Sequence, residues 1–163
     1  MLPELLTAVE QSAVAELLRF WRWAYPLTNA AHILGIALLF GAILPLDLRM
    51  LGLWRSVPLP LLARVLVPMA GTGLGLALLT GPLLFSVDPF KYASLGVFWL
   101  KLLLIAMAVI NLLLLHRSTA WRQTINAAGS VQPVVPSRLC VHAVISALGW
   151  LLVILCGRLI AYF

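Results

Sequence analysis

The sequence predicts an all-α fold: an integral membrane four-helix bundle preceded by an amphipathic interfacial helix. Three observations carry this expectation. Hydrophobic residues make up 63% of the 163 residues and charged residues only 10%, where a soluble domain carries roughly 25% charge. Four separate stretches are apolar enough to cross a bilayer, which takes roughly 20 residues per helix. No strand alternation of the barrel type is present. A chain this short, with mean hydropathy +1.08, has too few polar groups to coat so much apolar surface. A water-soluble enzyme, a disordered chain and a disulfide-stapled secreted domain are excluded on that ground.

The first unit, residues 1–23, reads as the interfacial helix. Leu5, Val9, Ala13 and Leu17 recur at helical spacing, with Leu6, Val14 and Leu18 beside them. Glu4, Gln11, Glu16 and Arg19 fall mostly elsewhere on the wheel, as an in-plane helix requires. Its plainest role is an anchor packed on the bundle. Phe20, Trp21, Trp23 and Tyr25 then form an aromatic belt at the point of entry. The opening Met-Leu-Pro-Glu-Leu-Leu has no positive n-region, so insertion through the chain's own first span is expected rather than a cleaved leader.

The second unit, residues 24–163, holds the spans, expected over residues 24–46, 61–85, 95–115 and 139–161. Backbone groups in lipid must be satisfied within the segment, so each is a helix. Ala31 and Gly35, Ala37 and Gly41, and Gly71 and Gly75 are small residues four apart that would let helices approach closely. Pro68 and Pro82 bracket the second span and favour a kink there.

The net charge is +6, but the basic residues are scattered among short hydrophilic stretches rather than gathered on a face. No nucleic-acid partner is expected; the lipid bilayer is the expected environment. The first and third loops hold Arg49, Arg55, Arg64, Arg117, Arg122 and Arg138. The N-terminal segment, second loop and C-terminus hold Arg19, Arg22, Lys91 and Arg158, so the excess favours both termini outside the cytoplasm.

Polar groups inside a membrane are costly and are functional candidates for that reason. They are His32 in the first span, Thr72 and Thr80 in the second, Lys101 and Asn111 in the third, His116 at its end, and His142 in the fourth. Asp47, Arg64, Arg138 and Arg158 are placed near the interfaces, where the arginines snorkel. His32 lies eight residues past Ala24, roughly 12 Å deep, and Lys101 six past Leu95, roughly 9 Å from the same side. His116 and His142 share a level near the opposite side. Alternating span direction therefore gives two candidate sites, one per leaflet.

Paired imidazoles on bundle helices are the usual axial ligands of haem b. Copper also takes imidazole, thiolate and thioether. Cys140 and Cys156 are about 24 Å apart along one helix and cannot bond to each other. Met50, Met69 and Met107 do not cluster, so copper has little beyond the three histidines as metal ligands. The plainer readings are an interfacial residue for His116 and a packing polar group for His142. No zinc spacing, phosphate loop, nucleophile elbow or carboxylate pair is present.

The stretch from His32 through Gly35 to Gly41 resembles the first helix of the copper-resistance D-type membrane domain. So does Leu79-Thr80-Gly81, followed by Tyr92, by Phe98-Trp99-Leu100-Lys101-Leu102, and by Asn111 and His116-Arg117. The histidine with Trp-x-Lys-Leu is also similar to the HemJ-type protoporphyrinogen oxidases, small four-span proteins associated with haem b. Asp47-Leu48-Arg49-Met50-Leu51-Gly52 looks typical of an uncharacterised bacterial branch of such proteins. The resemblance implies a multi-pass protein of the bacterial inner membrane, and the loop charges favour periplasmic termini. It also implies that His32 and Lys101 are a functional pair.

The expectation is a haem-b-associated redox or electron-transfer protein. His32 is the expected axial ligand and Lys101 a second ligand or a propionate partner. His116 and His142 are candidates for a second haem. Copper transport or resistance, and a non-catalytic accessory subunit, are the alternatives. A membrane or periplasmic redox partner and a homo-oligomer are both compatible with this reading, and no catalytic residue is assigned.

Overall fold

In the computed structural model, residues 2–126 and 135–162 are described. The middle of the long third loop lies outside them. All regular structure among the described residues is helical. The four long apolar helices are α3 (Ala24–Met50), α4 (Leu59–Phe85), α6 (Gly96–Arg117) and α8 (Ser137–Leu159), the last closed by a 3₁₀ turn. Each is long and apolar enough to cross a membrane, and the chain is a multi-pass helical membrane protein. With four spans, both ends of the chain lie on one face, called here the terminal face.

The expected single N-terminal helix is two, α1 (Leu2–Glu10) and α2 (Ala13–Phe20). Ser12 breaks it. Its backbone is extended and its hydroxyl accepts the Ala15 N–H at 3.3 Å, so it caps a new helix instead of continuing the old one. The Arg19 guanidinium spans the break, donating to the Glu10 carbonyl and pairing with its carboxylate. Ala15 and Leu18 are buried, and α2 packs on α3 and α4. α2 is thus seated on the bundle.

Two short helices border the spans. Asp88 caps α5 (Pro89–Ser94), accepting the Lys91 N–H, and Pro89 supplies the first helical position. Phe85 and Phe98 stack at 5.3 Å between centroids, with Tyr92 tilted against both, tying α4 to α6 at the terminal face. Burial, then the neighbouring Tyr25 and Asp88, push the Tyr92 phenol above its ordinary value, so it stays neutral at physiological pH. On the opposite face, α7 (Thr119–Asn126) buries Trp121 against Leu46, Met50, Leu59 and Leu139. The sequence reading took this stretch as loop; eight residues are too few for a clear helical period.

The spans pack in the order α4, α3, α8, α6. The α3–α4 contact is the closest, and glycine makes it so. A Cβ on Gly73 would sit 2.5 Å from the Leu39 nitrogen and 2.7 Å from the Gly35 carbonyl oxygen. A Cβ on Gly35 would sit 2.9 Å from the Ala77 nitrogen. These clashes are with backbone and cannot be relieved by a rotamer change. Of the three expected small-residue pairs, only Gly35 serves here. Gly41, Gly71 and Gly75 have nothing within 4 Å of an added Cβ. Spacing identified the motif but not the face of α4 that carries it.

Gly73→Ala should therefore lower stability by about 1–3 kcal/mol, the range for overpacking a close contact. Gly71→Ala should fall within about 0.5 kcal/mol of wild type. Thermal unfolding of both variants in detergent, followed by circular dichroism, checks the contrast.

Candidate functional site

Two polar levels lie inside the bundle, one toward each face. The terminal-face level draws on all four spans: His32 from α3, Thr80 and Gly81 from α4, Lys101 from α6, and Cys156 and Gly157 from α8. His32 and Lys101 are both half-buried and close enough to interact electrostatically. A Cβ on Gly81 would lie 3.5 Å from the His32 Cε1, and one on Gly157 would lie 3.5 Å from the Lys101 Nζ. The two glycines let the polar side chains lie along helix backbone. The Cys156 thiol is buried and within electrostatic reach of Lys101.

The His32 tautomer follows from its partner. Thr80 Oγ1 donates to the Leu76 carbonyl at 2.7 Å, and His32 Nδ1 is 2.8 Å from the same oxygen. With its proton spent on Leu76, the hydroxyl accepts from Nδ1–H. The unshared pair of the neutral ring is then on Nε2.

The other two histidines reach the same state by different routes. Asn111 is buried and donates Nδ2–H to the His142 carbonyl at 3.0 Å. That turns its Oδ1 to the His142 ring, whose Nδ1 is 2.6 Å away and must donate. His116 Nδ1 donates to the Leu112 carbonyl at 2.9 Å, and its ring tilts against Trp121 at 5.2 Å. All three rings are assigned Nδ1–H from their partners, leaving Nε2 as the coordinating or proton-accepting atom.

His116 and His142 have different partners: one turns to its own helix and α7, the other to Asn111. His142 belongs instead to a level that includes Asp47. Asp47 was placed near the interface from sequence, but it is 2% exposed and its carboxyl meets the Ser146 hydroxyl on α8. Ser146 was not singled out. The available signals were that Asp47 directly follows the first expected span and that His142 and Ser146 are four apart. Among the described residues, no group of three or more His, Cys, Asp or Glu gathers into a metal site.

An open cleft of about 410 Å³ lies at the terminal face, lined by Leu18, Arg19, Trp21, Arg22, Tyr25, Pro26 and Val87. Tyr25 is seven residues before His32 on α3, so the cleft stands roughly 10 Å outward of that imidazole.

Fold and site define a four-span helical membrane protein with a histidine and a lysine held at one level of its interior. No protein-family model, curated protein or solved structure matches the chain.

In the neutral rings, ¹⁵N spectra should show Nδ1–H for all three histidines, and Thr80→Val should perturb His32 alone. An Nε2–H signal from His32 in the wild type would contradict the assignment. Asn111→Leu should cost about 1–3 kcal/mol, because the His142 ring N–H loses a buried acceptor.

Proposed function

We propose that the chain is a haem-b-associated redox or electron-transfer protein of the membrane, with His32 as axial ligand. The observation that carries this reading is the His32 imidazole itself. It is half-buried, its Nδ1–H is committed to Thr80, and its Nε2 pair is available at the level of Lys101. A ligating histidine is ordinarily oriented by such an outer hydrogen bond. Bound haem would supply one-electron exchange, with the potential set by the axial ligands and by exclusion of water.

The residues present suit an amphiphilic group bearing carboxylates. Lys101 would serve as second ligand through its neutral amine, or as partner to a propionate through its ammonium. Arg19 and Arg22 line the cleft above, beside Trp21 and Tyr25, so cations stand where acidic substituents would reach the interface. A second haem between His116 and His142 has less support, because their rings turn to different partners. Copper has less support as well: Cys140 donates to the Met50 carbonyl on the opposite face, far from Cys156.

We further propose the bacterial inner membrane as the location and the resemblance to the copper-resistance D-type and HemJ-type proteins as its basis. The resemblance covers roughly residues 25–117.

After haem-replete expression, the purified wild type should be red and give a pyridine-haemochrome spectrum. His32→Ala should abolish the Soret band. Lys101→Ala should shift it if the amine ligates iron, and should weaken retention without a shift if it pairs with a propionate. A colourless wild type would sink the haem reading and turn the same variants to a test of bound copper.

A further inference from the structure

We propose that Asp47, with Ser146 beside it, is a proton-binding site inside the bundle, in the half opposite the terminal face and separate from the His32 site. Asp47 is 2% exposed, and its Oδ2 is fully buried with no hydrogen-bond partner among the described residues. An ionised carboxylate with a bare oxygen in so dry a place is costly. Binding a proton removes that charge and gives the carboxyl a group to donate.

The surroundings of Asp47 fit a proton better than a metal ion. From α8 come Ser146, whose hydroxyl meets the carboxyl, His142 one turn earlier on the same face, and Cys140, whose thiol donates to the Met50 carbonyl. From α6 comes Asn111, bonded to His142. From α3 comes Arg49, whose Nε and Nη2 donate to the Val57 and Arg55 carbonyls. From α4 come apolar Leu59 and Ala63, with Arg64 exposed. Carboxyl, hydroxyl and imidazole exchange protons readily, but these side chains supply too few oxygens to replace a cation's water shell.

Ser146 lies beside Asp47 on α8. The step is carboxylate plus proton giving carboxylic acid; no electron moves and no heavy-atom bond changes. On the far side, Trp150 packs with Leu39, Ile43, Ala108 and Val153, an apolar belt that separates this proton from the His32 level.

Infrared spectroscopy of the full chain in detergent tests the site. The chain has five carboxyl side chains; the other four, Glu4, Glu10, Glu16 and Asp88, reach solvent. The expected result is a protonated-carboxyl C=O band that grows as pH falls, moves in D₂O and is lost in Asp47→Asn. Ser146→Ala should keep the band at a shifted frequency. The proposal is overturned by any one of four results: no such band, a band that persists in Asp47→Asn, a band that never exchanges, or a band removed by added sodium or potassium. If Asp47→Asn fails to fold, Ser146→Ala decides: an unmoved band overturns the site. The haem spectrum of Asp47→Asn should match the wild type, since the two levels are separate.

Discussion

The contact between α3 and α4 sets the geometry of the rest. Without the hydrophobic effect between helices in lipid, association relies on close van der Waals packing and interhelical hydrogen bonds. Gly35 and Gly73 allow that closeness because neither carries a Cβ where the facing backbone sits. The contact also fixes an antiparallel register, with Gly35 opposite Ala77 and Leu39 opposite Gly73. Three residues back along α3 is His32, and three forward along α4 is Thr80. The bond that orients the imidazole is thus a consequence of where two glycines touch.

The polar side chains follow one rule, that a buried group must be hydrogen-bonded. Thr80 gives its proton to its own helix and accepts from His32. Asn111 satisfies the carbonyl and the ring of His142 with its two amide ends. His116 turns to its own helix. In each case Nδ1 is consumed in holding the ring and Nε2 is left for chemistry. Asp47 departs from the rule: Ser146 lies beside its carboxyl, and its Oδ2 is buried with no hydrogen-bond partner among the described residues.

Trp150 gives the two levels their independence. It is 4% exposed and lies on α8 between Ser146 and Cys156, while Leu39 and Ile43 fill the same layer on α3. His32 and Asp47 are fifteen residues apart on one helix, roughly 22 Å. The layer of apolar side chains between them offers no hydrogen-bonded path for a proton from one level to the other among the described residues.

Membrane class, span number and span positions were legible in the sequence, because bilayer thickness turns length and hydropathy directly into helices. The common level of His32 and Lys101 was also legible, since a fixed rise per residue and alternating direction set depth without any knowledge of packing. What the sequence could not show was rotation about each helix axis. In lipid, an apolar span has little amphipathic asymmetry to reveal its inward face, and α6 is apolar nearly all round apart from Lys101 and Asn111. So the choice of Gly73 over Gly71 and Gly75, the pairing of His142 with Asn111 rather than His116, and the burial of Asp47 against Ser146 were decided by tertiary packing. The break at Ser12 was decided locally, but by a cap whose value depends on α2 having a bundle to pack against.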